Sequence, residues 1–308
     1  MKQKHTREEK LAAFGRLLDV QHRLRKECPW DRKQTNESLR PNTIEEVYEL
    51  CDALMHNDSK NICKELGDVL EHVIFYSLIG LENEDFDIAD VCNMQADKLM
   101  FRHPFINWRQ QEGDWAIENE PFSVSNEEME LNADGQVIYR SDQKLQSDPA
   151  ERPTTASAVE QTWEQIKQRE RDGNRTVLSG VPEALPSMIK AYRIQDKARN
   201  VGFDWKEKEH VWGKVREELG ELETELRNEN QEQSTRELGD FLFSVINAAR
   251  LYHLNPDNAL EYTNQKFISR FTYIEQRAQE MGRSLKEMTL EEMDQLWNEA
   301  KRKEIDNG

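Results

Sequence analysis

Apolar residues recur every three or four positions over most of this chain, which is the spacing of one face of an α-helix. Thr43 opens a Thr-Ile-Glu-Glu sequence that resembles a capping box, and it predicts a helix running to about His56. After a polar break, a second apolar pattern covers Ile62–Ile74. Strand-like alternation is almost absent outside residues 105–158. The pattern therefore predicts an all-α fold in which successive helices form antiparallel hairpins.

Residues 105–158 interrupt the helical pattern. Two short apolar runs, at 129–131 and 136–139, flank the turn sequence Asn-Ala-Asp-Gly at 132–135 and predict a small β-hairpin. The segment carries a net charge of −7 and is the most acidic part of the chain per residue. We interpret it as a solvated linker between two helical units.

The two flanking halves repeat each other at a constant offset of 172 residues. Glu-Glu-x-x-Glu at 45–49 matches the same pattern at 217–221, and Glu-Leu-Gly-Asp at 65–68 matches 237–240. Duplication of one helical unit is the simplest explanation. The predicted organisation is an N-terminal unit at 1–104, an inserted linker at 105–158 and a C-terminal unit at 159–308.

The repeated acidic residues are predicted to face one another across each helical hairpin. In an antiparallel hairpin, residues whose numbers have a constant sum lie side by side, so Glu218 is opposite Asp240 and Glu221 is opposite Glu237. The two levels are about 4.5 Å apart at 1.5 Å per residue. Four carboxylates at this range repel one another unless a cation neutralises them. The matching residues of the first half are Glu46, Glu49, Glu65 and Asp68.

Oxygen ligands without histidine or cysteine suit Mg²⁺ or Mn²⁺. The competing interpretation is that both patterns are ordinary solvated faces of acidic helices, which is common for a single hairpin. Finding the pattern twice, with equal loop lengths and a glycine before each aspartate, favours a metal site. We expect the stronger site in the second half and a weaker one in the first.

Cationic and aromatic residues follow on later helices of the second half. Lys266 and Arg270 are four residues apart and share a helix face, as do Trp297 and Lys301. Near a metal, such a face is suited to a polyphosphate and a base. Taken alone, Lys266 and Arg270 would more often be surface charges, and Trp297 would more often be a core packing residue.

Composition excludes some other functions. The 308 residues carry 42 Lys plus Arg against 60 Asp plus Glu, a net charge of −18, so binding of a nucleic-acid polymer is not expected. No apolar run approaches the roughly 20 residues that span a bilayer, and the N-terminus has no signal-peptide pattern. We therefore expect a soluble cytoplasmic protein without a membrane partner.

Taken together, the motifs resemble the MazG family of nucleoside triphosphate pyrophosphohydrolases, within the all-α NTP pyrophosphatases. The similarity covers about residues 8–104 and 159–303. It is carried by CPWD-x-x-QT, EExxE followed by ELGD, RHP, GVPxxLP, RIQDKA, VGFDW, the second EExxE and ELGD, VINAAR, NQKFxxRF and LWxxAK.

The resemblance implies two tandem helical bundles and Mg²⁺-dependent hydrolysis of NTPs or dNTPs to nucleoside monophosphate and pyrophosphate. It also implies a homodimer that clears or controls nucleotide pools. By position it assigns metal binding to Glu218, Glu221, Glu237 and Asp240. It assigns catalysis to Glu217, Glu218, Lys266 and Arg270, and substrate binding to Asn247, Arg250, Lys266, Arg270, Trp297 and Lys301.

The first half departs from this pattern. Phe75 to Leu78 stand where the second half has Asn247 to Arg250, and no LWxxAK helix follows. We expect the first unit to be weak or inactive. Two other functions stay open: a catalytically idle helical dimer that senses nucleotides or scaffolds a partner, and a relative specialised for dUTP, dCTP or phosphoribosyl-ATP.

Overall fold

The computed structural model describes residues 5–109, 122–141, 153–167, 170, 176–205 and 207–306. The chain forms two compact units, Met1–Val159 and Glu160–Gly308. The helices of the first unit are α1 (Arg7–Glu27), α2 (Asn36–Met55), α3 (Ser59–Glu82) and α4 (Ile88–Arg102). They are followed by strands β1 (Met129–Leu131) and β2 (Val137–Tyr139). A further helix, α5 (Ala156–Lys167), crosses the boundary between the units.

The second unit continues with α6 (Ser187–Asn200), α7 (His210–Arg227), α8 (Gln231–Leu251), α9 (Pro256–Glu280) and α10 (Leu290–Asp306). Short 3-10 turns lie at Asp31–Lys33 and Leu285–Glu287. The prediction of an all-α fold with one small hairpin is confirmed. Of the described helices, none is long and apolar enough to cross a membrane.

The predicted start of α2 at Thr43 is wrong. The helix begins at Asn36, because Thr35 and Ser38 form a reciprocal capping box one turn before Pro41. The Thr43 hydroxyl instead bonds to the Leu39 carbonyl and lies 2.7 Å from His72 Nδ1. The helix is longer than the hydrophobic pattern suggested, because most residues in its first two turns are polar and Leu39 is the only large apolar side chain there.

Each unit is built around one antiparallel hairpin, α2 with α3 and α7 with α8. In the first unit, Leu39 of α2 is buried against Phe75 and Ile79 of α3. In the second, the core between the helices is made of Val211, Val215, Ala248 and Leu251. Burial of these apolar faces fixes which helix sides meet, and so which polar residues line the remaining side.

The hairpin predicted at 129–139 is present and packs on α4. Met129 pairs with Tyr139, and Gly135 in the turn has φ +75°, where an added Cβ would collide with Asn107. A buried carboxylate, Asp97 of α4, accepts hydrogen bonds from Ser125 and from the Asn126 backbone. This described part of the connector is thus folded onto the first unit, where the composition predicted a solvated linker.

Candidate active site

The α7–α8 hairpin brings three of the four predicted metal ligands of the second unit together. Glu218, Glu237 and Asp240 each offer one carboxylate oxygen, and these atoms lie within 4.8 Å of one another. Glu221 lies one turn further along α7. Its pKa is raised by desolvation and by the negative charges of Glu218 and Glu237, so it is electrostatically coupled to the same group. We name Glu218, Glu221, Glu237 and Asp240 the acidic quartet.

Lys214 is a member of this site that the sequence reasoning missed. Its Nζ donates to Glu218 at 2.6 Å and to Glu217 at 2.9 Å. These hydrogen bonds hold the pKa of Lys214 above its usual value. The signal was present in the sequence, because a lysine four residues before a glutamate shares its helix face. Lys214 therefore places one positive charge at the edge of the quartet.

The first unit contains a matching group on α2 and α3. Carboxylate oxygens of Glu46, Glu49 and Glu65 lie within 4.8 Å of one another. Glu65 is only 5% exposed; Lys64 binds its Oε1, and its Oε2 has no hydrogen-bond partner among the described residues. Asp68 lies 3.7 Å from Lys64 Nζ. Desolvation, followed by the charges of Asp68 and Glu49, raises the pKa of Glu46.

The predicted cationic and aromatic residues lie on α9 and α10 of the second unit. The guanidinium carbon of Arg270 is 5.4 Å from the centre of the Trp297 ring, and Phe267 contacts the same ring at 5.1 Å. Trp297 also packs on the core formed by Ile274, Ala278, Met288 and Leu296. Lys266 and Lys301 are exposed on these two helices. Trp297 is thus both a packing residue and a platform for Arg270.

Asn247 and Arg250 of α8 have a different environment from the exposed lysines. Arg250 is 4% exposed, and its Nη1 and Nη2 donate to the two carboxylate oxygens of Asp204 at 3.0 and 2.5 Å. Its Nε and Nη2 also donate to Asn247 Oδ1 at 3.2 and 2.8 Å. The charge of Arg250 is therefore balanced inside the unit. The sequence placed Asp204 in the VGFDW motif but gave no sign that it pairs with Arg250.

A cavity of about 510 Å³ opens beside this network. It is lined by Phe203, Asp204 and Trp205 on one side and by Phe243, Asn247 and Arg250 of α8 on the other. Residues of α6 and the flanking loops also line it, namely Ile194, Gln195, Ala198, Leu178 and Gly202. A cavity of this size with apolar walls and a few polar groups is typical of a small-molecule site.

The position equivalent to Asn247 has a different environment in the first unit. Phe75, which replaces Asn247, is 2% exposed in the core. The guanidinium of Arg25 lies 5.5 Å from the Phe75 ring centre, donates to Glu82 at 2.8 and 2.7 Å and donates to the Gln34 carbonyl. Hydrogen bonding to Arg25 lowers the pKa of Glu82. Phe75 is thus packed in the core of the first unit, where a smaller cavity of about 340 Å³ is lined by other residues, among them His22 and Leu78.

The chemistry of the donor set fits a hard divalent cation. The acidic quartet offers only carboxylate oxygens, and desolvation, followed by the charges of Glu218 and Glu237, raises the pKa of Glu221 despite the charge of Lys214. A bound cation would relieve this repulsion. The site and the aromatic cavity lie in the same compact unit.

Comparison with known proteins finds the same domain in both halves of the chain. A family model described as the MazG nucleotide pyrophosphohydrolase domain matches residues 34–106 and 207–274, which contain both acidic hairpins. An Escherichia coli K12 protein named nucleoside triphosphate pyrophosphohydrolase is 34% identical over 300 residues, covering 95% of this chain and 98% of the relative.

Two further relatives extend this similarity. A Thermotoga maritima protein named nucleoside triphosphate pyrophosphohydrolase/pyrophosphatase MazG is 32% identical over 94% of this chain and 95% of its own length. A Bacillus subtilis protein named uncharacterized protein YabN is 36% identical over 90% of this chain and 49% of its own length. The similarity to the first two spans both units.

Proposed function

Because the chain belongs to the MazG family of nucleotide pyrophosphohydrolases, we propose that its second unit carries out the hydrolysis of a nucleoside triphosphate to the monophosphate and pyrophosphate. The observation that carries the choice of unit is the open cavity beside Asp204 and Arg250 in the unit that also holds the Arg270–Trp297 pair. In the first unit, Phe75 at the position of Asn247 is buried in the core, and its ring lies 5.5 Å from the Arg25 guanidinium.

We assign the acidic quartet to a divalent cation, Mg²⁺ or the related Mn²⁺. Glu218, Glu237 and Asp240 would provide the closest oxygens, with Glu221 on the next turn of α7. When bound, the ion would neutralise phosphate charge and lower the pKa of a bound water. The exposure of Asp240 leaves one side of the group open to a substrate.

The remaining roles follow from charge and exposure. Glu217 and Glu218 are the carboxylates that we assign to water activation, with Lys214 holding both in place. Lys266, Arg270 and Lys301 are the cations for the phosphate groups. Trp297 positions the Arg270 guanidinium. We assign Asn247 and Arg250 to the substrate pocket. There, Arg250 orients Asn247 and Asp204 through hydrogen bonds and does not bind phosphate.

Product analysis tests this function directly. Purified protein with Mg²⁺ and each of the eight common NTPs and dNTPs should release pyrophosphate and the monophosphate in equal amounts. Pyrophosphate release from none of them would favour the idle sensor or scaffold. Turnover restricted to dCTP in this panel, or to dUTP or phosphoribosyl-ATP in separate assays, would indicate the specialised relative, because pocket shape sets base preference.

We also propose a homodimer, acting in the cytoplasm. Leucines at matching positions are exposed on both hairpins: Leu54, Leu66 and Leu70 in the first unit and Leu226, Leu238 and Leu242 in the second. Repeated apolar stripes of this kind favour burial against another helix pair. Light scattering of the purified protein measures the oligomeric state.

The acidic group of the first unit is proposed as a weaker metal site without its own turnover. Replacing Glu65 by Gln together with Asp68 by Asn should leave most of the pyrophosphate release, because the cavity, Arg270 and Trp297 all belong to the second unit. The measurement is kcat at saturating Mg²⁺ and NTP. Loss of turnover in this double variant, with Glu237→Gln still active, would reverse the choice of catalytic unit.

The raised carboxylate pKa values predict how pH changes the effect of Mg²⁺ on stability. A carboxyl whose pKa is higher in the folded state stabilises the fold at low pH, and this contribution is lost as pH rises through the folded pKa. Glu46 and Glu221 therefore destabilise the metal-free protein at neutral pH.

At a Mg²⁺ concentration about tenfold above its Kd, we expect Tm to rise by about 3–6 °C at pH 7.5 and by clearly less at pH 5, where protons compete. Thermal unfolding at both pH values measures this difference. K⁺ at matched ionic strength is the control for electrostatic screening, and it should not raise Tm at either pH. An equal Mg²⁺ effect at both pH values would contradict the carboxylate site.

A further inference from the structure

The cavity of the first unit is lined by none of the residues proposed for hydrolysis. It has a volume of about 340 Å³ and lies between α1, α3 and the beginning of α4. Its apolar surface comes from side chains of these three helices, namely Leu18, Ile74, Leu78, Leu81 and Ile88. The hydroxyl of Ser77, which also lines it, donates to the Val73 carbonyl at 2.8 Å. The cavity therefore has an apolar floor on which no hydroxyl is left unpaired.

Two carboxylates line this cavity, and neither has a cationic partner among the described residues. Asp19 is exposed on α1, and Arg23, four residues later on the same helix, pairs with Glu27 instead. Asp87 is half-buried at the start of α4, where its Oδ1 accepts hydrogen bonds from two backbone N–H groups of the first turn. The described residues that line the cavity include no lysine or arginine. The cavity thus combines uncompensated negative charge with an apolar surface.

The ends of two helices meet at this cavity, and their partial charges oppose each other. The N-terminus of α4 is partially positive, whereas the last turn of α3, which contributes Leu81 to the lining, is partially negative. The two helix ends therefore largely cancel, and the carboxylates of Asp19 and Asp87 determine the charge that a ligand meets.

The polar groups of the cavity are not spaced for a metal ion. Among the described residues, the groups of ligand atoms that converge within 4.8 Å are the two acidic groups of the helical hairpins, and Asp19, His22 and Asp87 do not form a third. A metal ion needs several ligand atoms at its short coordination distance. An organic cation can use separated carboxylates and an apolar floor together, because its charge and its apolar body occupy different places.

We propose that this cavity binds an organic ammonium ion with an apolar body, such as an alkyl or aryl amine. The ammonium group donates to Asp19 and to Asp87 Oδ2, since Asp87 Oδ1 already caps α4. The apolar body packs on Ile74 and Leu78. In the second unit the matching helix, α9, begins with the neutral N-cap Asn255, so the two repeats differ at this position. The proposal is independent of the hydrolysis proposed for the second unit.

Benzylammonium is the probe, and benzyl alcohol is its neutral counterpart of nearly the same shape. Each is titrated into the full-length protein at pH 7.5 in excess Mg²⁺, which competes for the other acidic groups, and binding is followed by ligand-observed NMR. The Kd should be about tenfold or more lower for benzylammonium, the size expected of a charge-assisted hydrogen bond. The anion phenylacetate should not bind. Equal affinities for the ammonium ion and the alcohol, or no binding of benzylammonium, overturn the proposal.

Asp87→Asn locates the site without removing the helix cap. Asparagine caps a helix start about as well as aspartate, so the variant loses the charge and keeps α4. It should weaken benzylammonium binding by about fivefold or more and leave benzyl alcohol unchanged. With Asp19→Asn added, the affinities for the two ligands should become nearly equal. A folding defect would instead weaken the binding of both ligands together.

Asp90→Asn is the matched control. It removes the same charge from the same turn of α4, and Asp90 is not among the residues that line the cavity. This variant should keep the wild-type preference for benzylammonium. A preference that persists undiminished in the Asp19→Asn, Asp87→Asn double variant would place the bound ammonium elsewhere and overturn the assignment of this cavity.

Discussion

Glu237→Gln should reduce pyrophosphate release by about 100-fold or more. The change removes one charged oxygen ligand from the place where Glu218, Glu237 and Asp240 converge, and electrostatic groups of this kind contribute the largest part of phosphoryl-transfer catalysis. The fold should survive, because the substitution relieves repulsion between carboxylates and removes no core contact. The measurements are kcat at saturating Mg²⁺ and the far-ultraviolet circular dichroism of the variant.

Glu232→Gln is the matched control for this variant. It makes the same chemical change on the same helix, at an exposed residue paired with Arg236. Turnover should stay within about twofold of wild type, since exposed pairs contribute little. Near-wild-type turnover in Glu237→Gln would remove the basis for the metal assignment.

Arg250→Met should destabilise the second unit by about 2–4 kcal/mol. The guanidinium is 4% exposed, and its removal leaves the partly buried carboxylate of Asp204 and the Asn247 oxygen without their donors. Breaking one side of a buried ion pair is costly because the remaining charge is uncompensated. Hydrogen exchange of the α8 amides measures the change in opening free energy.

Two further variants isolate the cause. Arg250→Met combined with Asp204→Leu should recover most of the lost stability, because no unpaired charge remains. Arg236→Met, which breaks an exposed pair on the same helix, should cost less than about 1 kcal/mol. A double variant as unstable as Arg250→Met alone would show that packing, not charge, explains the loss.

Part of the fold and of the acidic site follows from two local rules, helix capping and the register of an antiparallel hairpin. The side chains of Asn255 and Thr289 accept backbone hydrogen bonds at the starts of α9 and α10, and both residue types are common sequence signals for a helix start. The constant-sum rule placed Glu218 and Glu237 on facing helices, because a short loop leaves an antiparallel hairpin little freedom of register. The family resemblance was confirmed by the comparisons.

Features that depend on packing between distant segments were not predictable. The pairing of Arg250 with Asp204 joins residues 46 positions apart, and no local pattern marks it. The same holds for Arg25 and Glu82, 57 positions apart. The folded hairpin on α4 was foreseen as a turn sequence, but its attachment through Asp97 required the three-dimensional arrangement. Such contacts depend on which side chains become buried when the chain folds, and the sequence gives only indirect information about burial.

The packing of Phe75 and Arg25 in the first unit makes it costly to convert this repeat into a copy of the second. Phe75→Asn alone would place an amide among Leu39 and Ile79 and remove the ring beneath Arg25. Arg25→Ala alone would leave Glu82 without its partner and a void beside Phe75. Each of these two substitutions therefore lowers stability before it can contribute to binding, so selection would act against either one-step genotype.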